Sequence, residues 1–262
     1  MDAAGARRYS PRAVGSTGER VGGNPPVAII PARYGSTRFP GKPLAMIAGK
    51  TMIEQVWRRC QESGVFSRVI VATDDARIAE AVSRFGEVAM TSSDCRSGTD
   101  RVAEVARTLP SAGEIINVQG DEPAIHPAAL RQLVQAFQDP DVRMATLVRP
   151  LLPAERSDPN VVKAVLALNG DALYFSRSDI PHPRGKAGPH YGHLGLYGYR
   201  RELLLRIAAL APTPLEEAEM LEQLRALEHG IRIRCVLTPH SSVSVDTPGD
   251  LELAEKALLE LR

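Results

Sequence analysis

Cysteine is scarce in this chain. Cys60, Cys95 and Cys235 lie far apart with no C-x-x-C pair, so neither a disulfide framework nor a thiolate zinc site is indicated. That usage fits a reducing, cytoplasmic setting. Long apolar runs are missing too. No 18-residue apolar segment exists and the N-terminus has no apolar h-region, so nothing in the sequence marks a membrane-spanning or secreted chain. Net charge is nearly absent: Lys+Arg 32 against Asp+Glu 31 leaves +1, and no global field points to nucleic acid or a membrane surface. Met1–Pro26 is poor in large apolar residues, holding Arg7, Arg8, Arg12 and Arg20 among Gly, Ser and Pro. Asp2, Glu19 and the lack of an amphipathic stripe separate it from an organellar transit peptide, and it reads as a disordered leader or a start-codon artefact.

What remains is a single folded unit. Hydrophobic residues make up 44% of 262 positions, enough for one sizeable core, and residues 27–262 are expected to form one domain. Apolar runs at Val27–Pro31, Arg68–Ala72, Val88–Met90 and Ile115–Gln119 read as strands. Helical spacing marks Thr51–Glu62, the stretch from Thr73 to Gly86, Ser97–Thr108 and Pro127–Phe137. This alternation predicts an α/β fold with a Rossmann-like, doubly wound, mostly parallel sheet. From Met144 the texture changes. Met144–Val148, Val161–Leu168, Ala172–Phe175 and His193–Tyr199 are strand-like without full helices between them. They suggest a small antiparallel excursion, a lid or dimerisation hairpin, over about residues 150–230. Arg200–Leu210, Pro214–His229 and Thr247–Leu261 read as helices and Ile231–Leu237 as a strand.

The chemistry concentrates in the turns. The first strand runs into Arg33, Arg38 and Lys42, set among Gly35, Ser36, Thr37, Pro40 and Gly41. Open α/β sheets bind ligands at the carboxyl ends of their strands. Three cations with small-residue backbone amides there suit a polyphosphate, although a basic surface loop has the same composition. Asp121 closes the third long strand after Gly120, where a phosphate-bound cation would need a carboxylate. On spacing alone, Asp246 in Val245-Asp246-Thr247-Pro248 reads as a helix cap. Ser97-Gly98-Thr99-Asp100-Arg101 opens a helix whose amides could face a nucleotide. Alternation from Tyr191 to Arg200 sets His193, Gly195, Tyr197 and Tyr199 on one face, where a lone histidine is commonly structural. Lys163 sits in a similar alternation, facing either the site or solvent.

Taken together, VAIIPARYGSTRFPGKP, NVQGDEP, SGTDR, HLGLYGYR, PTPLEEAEMLEQLR and VDTP resemble the motifs of the 3-deoxy-manno-octulosonate (Kdo) cytidylyltransferases. Several motifs in order are more specific than one, and these cover about residues 27–256. The resemblance implies transfer of CMP from CTP to the sugar's anomeric hydroxyl, a cytoplasmic step of lipopolysaccharide biosynthesis, by a homodimer that needs neither nucleic acid nor membrane. It implies that Arg33, Ser36, Arg38, Lys42, Ser97, Gly98, Thr99 and Arg101 hold the nucleotide. Asp121 and Asp246 would bind Mg²⁺, reversing the capping reading of Asp246. Gln119, His193, Tyr197, Glu222 and Gln223 would contact the sugar, and Arg33, Arg38, Lys42 and Asp121 would carry catalysis. One departure is Cys95, where the family usually has histidine. Three alternatives stay open: a sialic-acid cytidylyltransferase, one for 8-amino-Kdo, and an inactive CTP-binding regulator.

Overall fold

The computed structural model describes residues 25–35, 38–185 and 188–261. The expected leader lies outside these residues except for Pro25 and Pro26, as does Ser36. The chain begins with β1 (Val27–Ala32), a small β2 (Met46–Ile47) and β3 (Lys50–Thr51) pair, and α1 (Met52–Ser63). There follow β4 (Arg68–Thr73), α2 (Ala76–Val82), β5 (Glu87–Met90), α3 (Gly98–Arg107), β6 (Glu114–Asn117) and α4 (Pro127–Gln135). The second half contains β7 (Met144–Pro150), β8 (Lys163–Leu166), β9 (Ala172–Ser176), β10 (Tyr191–Arg200) and α5 (Arg201–Ala208). It closes with α6 (Pro214–Glu219), α7 (Gln223–Glu228), β11 (Arg234–Leu237) and α8 (Leu251–Glu260).

Among the described residues, nine strands share one sheet with the order β11-β7-β10-β6-β1-β4-β5, β8 and β9 branching from β10. β1 pairs in parallel with β4 and β6, as β4 does with β5 and β11 with β7. Both faces of β1 are covered: Val27 and Ile29 join the cluster beneath α3 and α5, Ala28 and Ile30 the one beneath α1, α2 and α4. A strand buried on two sides needs an unbroken apolar run, which is why β1 reads so clearly in the sequence. Local chemistry sets the helix starts. Thr51 Oγ1 accepts from Glu54 N at 3.3 Å, Asp75 Oδ1 from Arg77 N at 2.9 Å, and Ser97 Oγ from Asp100 N at 3.2 Å.

The antiparallel strands expected after Met144 are present, and one of them runs through the main sheet. β10 lies within the main sheet, antiparallel to both β6 and β7, so His193–Tyr199 belongs to the centre of the fold. Gly198 makes this possible. A Cβ there would stand 2.5 Å from a Phe137 ring carbon and 2.8 Å from Ile116 Cδ1. β8 and β9 form a hairpin that branches from the beginning of β10.

The single helix expected over Pro214–His229 is two. Met220 adopts a left-handed φ of 54° and separates α6 from α7. Glu219 is held elsewhere: its carboxylate accepts from Ser176 Oγ at 2.6 Å and Arg177 N at 2.9 Å, and Arg177 Nε donates to its carbonyl at 2.9 Å. These bonds to the end of β9 override the helical periodicity. No helix among the described residues is long and apolar enough to cross a membrane.

Candidate active site

The loops after β1 and β6, the start of α3 and the segment around Val245 converge on a cavity of about 330 Å³. Gly41, with φ 72°, turns the first loop back and donates from its N–H to the Tyr34 carbonyl at 3.0 Å, which sets Lys42 at the head of a short 3-10 turn. Lys42 Nζ donates to Asp121 Oδ2 at 2.9 Å and to the Val245 carbonyl at 2.8 Å, and lies 3.5 Å from Asp246 Oδ1. Arg38 pairs with Asp246 Oδ1 at 3.1 Å. Val245 N donates to the Asp121 carbonyl at 2.9 Å, so the two acidic segments are stitched together through the backbone. Arg33, Ser97, Gly98, Arg101, Gln119 and Glu222 line the same cavity. Gly120 allows the closeness, because a Cβ there would be 2.7 Å from the Pro31 carbonyl oxygen.

Two of the nucleotide-side candidates are partly committed. Ser97 uses its hydroxyl as the α3 cap. Arg101, 4% exposed, pairs through Nη2 with Asp74 Oδ2 at 3.1 Å and through Nη1 with the Thr91 hydroxyl. Thr99 does not line this cavity but a smaller cleft of about 20 Å³, together with Tyr197, Tyr199, Glu222 and Gln223. His193 neighbours Tyr197, with ring centroids 5.4 Å apart, and its Nε2 lies 2.9 Å from Thr146 Oγ1. Burial lowers the imidazole's pKa to about 3, so the ring is neutral at pH 7, and burial keeps the Tyr197 hydroxyl protonated.

A cytidylyltransferase family profile matches residues 27–233. A 3-deoxy-manno-octulosonate cytidylyltransferase from Myxococcus xanthus is 63% identical over 239 residues, covering 90% of this chain and 97% of that protein. One of the same description from Geobacter sulfurreducens is 52% identical over 242 residues, covering 86% and 96%. A solved structure of CMP:2-keto-3-deoxy-manno-octonic acid synthetase complexed with CTP superposes with a TM-score of 0.86 at 43% identity, covering 90% of this chain and 99% of that one. The chain belongs to the 3-deoxy-manno-octulosonate cytidylyltransferase family. A 4-diphosphocytidyl-2C-methyl-D-erythritol synthase from Anaerococcus prevotii, at 13% identity and a TM-score of 0.60, shares the fold.

A cytidylyltransferase handles a nucleoside triphosphate, and the acids present suit a divalent ion carried on its phosphates. Among the described residues, no group of three or more His, Cys, Asp or Glu gathers to hold a metal alone. Mg²⁺ characteristically takes one or two carboxylates and leaves other positions to phosphate oxygens and water. Asp121 and Asp246 supply two, and both already share the Lys42 ammonium as counter-ion.

Sequence reasoning passed over Arg96 and Glu122. Arg96 is a fourth arginine on the cavity wall. A cation just before a helix opening at a strand's carboxyl end was its available signal. Glu122 is 7% exposed, and burial, with Asp121 beside it, raises its pKa to about 7. Nothing in the alternation of NVQGDEP marks that burial. Cys95 also lines the cavity and donates from Sγ to Glu104 Oε2 at 3.1 Å. Desolvation, then Glu104, pushes the thiol to about 11, which makes it a donor and not a nucleophile.

Proposed function

We propose that this chain transfers the cytidylyl group of CTP to the anomeric hydroxyl of 3-deoxy-D-manno-octulosonate, releasing pyrophosphate. The convergence of Lys42, Asp121 and Asp246 in one cavity, over 200 residues apart at the extremes, carries this reading. The name of the 63%-identical relative gives the sugar. The anomeric oxygen attacks the α-phosphorus in line, the bond from that phosphorus to the bridging oxygen breaks, and the hydroxyl proton passes to solvent. Arg33, Arg38 and Lys42 neutralise the triphosphate and the departing pyrophosphate, so positioning and electrostatics supply most of the rate. Ser97 and Gly98 bring the helix N-terminus to the nucleotide. Asp121 and Asp246 would hold Mg²⁺, which when bound supplies charge neutralisation at the α-phosphate and leaving group. On the sugar side, Gln119, Glu222 and Gln223 offer hydrogen-bonding groups beside neutral His193 and the Tyr197 hydroxyl.

The same reading makes the chain a cytoplasmic homodimer working in lipopolysaccharide biosynthesis. The β8–β9 hairpin, with Leu168 and Leu173 exposed, supports it as a subunit contact. Pyrophosphate release with CTP, Mg²⁺ and each of Kdo, 8-amino-Kdo and N-acetylneuraminate tests the proposal. Release with Kdo is the expected result. Release with another sugar alone moves the enzyme to a different pathway, and CTP binding without release for any sugar makes it a regulator.

A further inference from the structure

Thr99 occupies the second position of α3, immediately after the two residues that wall the nucleotide cavity, yet its own side chain lines the neighbouring cleft. Its hydroxyl donates to Glu222 Oε2 at 2.6 Å, across 123 residues of sequence. That bond ties the first turn of α3 to the residue that precedes α7.

Glu222 needs such a partner. It stands between the left-handed Met220 and the start of α7, and its side chain makes no capping bond to that helix. Its residue borders three volumes: the nucleotide cavity, the cleft with Tyr197 and Gln223, and a larger groove of about 640 Å³ beneath α6. A carboxylate at such a junction has several directions in which to swing. Gln223, 6% exposed, lines the same cleft, and its Nε2 donor has no partner.

We infer that Thr99 is a positioning residue that fixes Glu222 for the acidic sugar by tying it to the first turn of the nucleotide-binding helix. The inference rests on the reading above in which Glu222 contacts the sugar. Charge-assisted hydrogen bonds are among the stronger ones, and loss of this one should be felt by the sugar and not by CTP.

Initial-rate kinetics on Thr99→Val, Thr99→Ser, Glu222→Gln and the Thr99→Val/Glu222→Gln double variant test it, with a thermal melt of each. Thr99→Val should raise KM for Kdo roughly tenfold or more, with KM for CTP unchanged. Thr99→Ser should restore it, and the double variant should be no worse than Glu222→Gln alone. A rise in KM for CTP, equal impairment of the serine variant, or additive losses in the double variant would overturn the inference. A Glu222→Gln defect beside a normal Thr99→Val enzyme would overturn it while sparing the assignment of Glu222. A normal Glu222→Gln enzyme would remove that assignment and the inference with it. Should Thr99→Val melt early, Thr99→Ala removes the same donor in less space and takes its place.

Discussion

At the scale of single residues, the site holds its two carboxylates against its own cations. Lys42 meets two carboxylates and a carbonyl, and Arg38 shares one of those carboxylates, so the anions are held before any ligand arrives. Preorganised charge of this kind costs no reorganisation during reaction. Replacing Asp121 by Ala should lower turnover ~10²–10³-fold or more, comparable with losing one transition-state contact elsewhere. Its circular dichroism melt should stay near wild type, since its carboxylate is part-exposed. Wild-type pyrophosphate release from this variant would remove Asp121 from the metal site. His193 gives a second expectation, in pH. Its pKa falls from 6.5 to about 3 on folding, through burial. Between those values the unfolded chain binds the extra proton, so stability must decline as pH drops below 6.5. Urea unfolding at pH 7 and pH 5 should reveal an acid loss of up to about 2 kcal/mol that His193→Gln lacks. Equal losses in both proteins would show that the ring protonates in the fold.

At the scale of elements, the sequence was legible where local and tertiary demands coincide. β1, α1 and α3 carry apolar runs, caps and stops that agree with their places in the sheet, and their expected bounds lie close to the observed ones. It was not legible at α6–α7. The stripe of Met220, Leu221, Leu224 and Leu227 is helical in spacing, while the break comes from Glu219 bonding to Ser176 and Arg177, more than 40 residues away in sequence. A periodicity argument has no access to that contact. The same holds for β10, whose alternation indicates a strand but not its insertion between β6 and β7. Gly198 is the residue that decides this packing, since a methyl would collide with Phe137 and Ile116. Gly198→Ala should destabilise the protein by ~1–3 kcal/mol through overpacking. Adding Phe137→Leu should recover part of the loss. Additive destabilisation in the double variant would mean that the strand shifts instead of the ring.

At the scale of the whole molecule, the site is made only by folding. Arg33, Lys42, Ser97, Asp121 and Asp246 reach one cavity from four separated segments, and in an unfolded chain they would not be neighbours. The motifs were readable one by one because each lies at a turn whose chemistry is local. Their order along the chain pointed to one family, but the Thr99–Glu222 bond and the commitment of Arg101 to Asp74 are products of assembly. A ligand that binds this assembled cavity, and not the unfolded chain, must stabilise the protein by mass action. With Mg²⁺ and CTP at 100 times its Kd, the gain is about 2.7 kcal/mol. For a chain of this size each kcal/mol moves Tm by roughly 2–4 °C, so a rise of roughly 5–10 °C is expected in a thermal shift assay. Chelating the divalent ion should remove most of that rise, because Asp121 and Asp246 would then face the triphosphate without the ion's charge to offset them. Asp246→Asn should shrink the response to the ion while retaining some response to CTP. A full shift in the presence of chelator would mean that the cations alone bind the nucleotide, leaving the two carboxylates to structure.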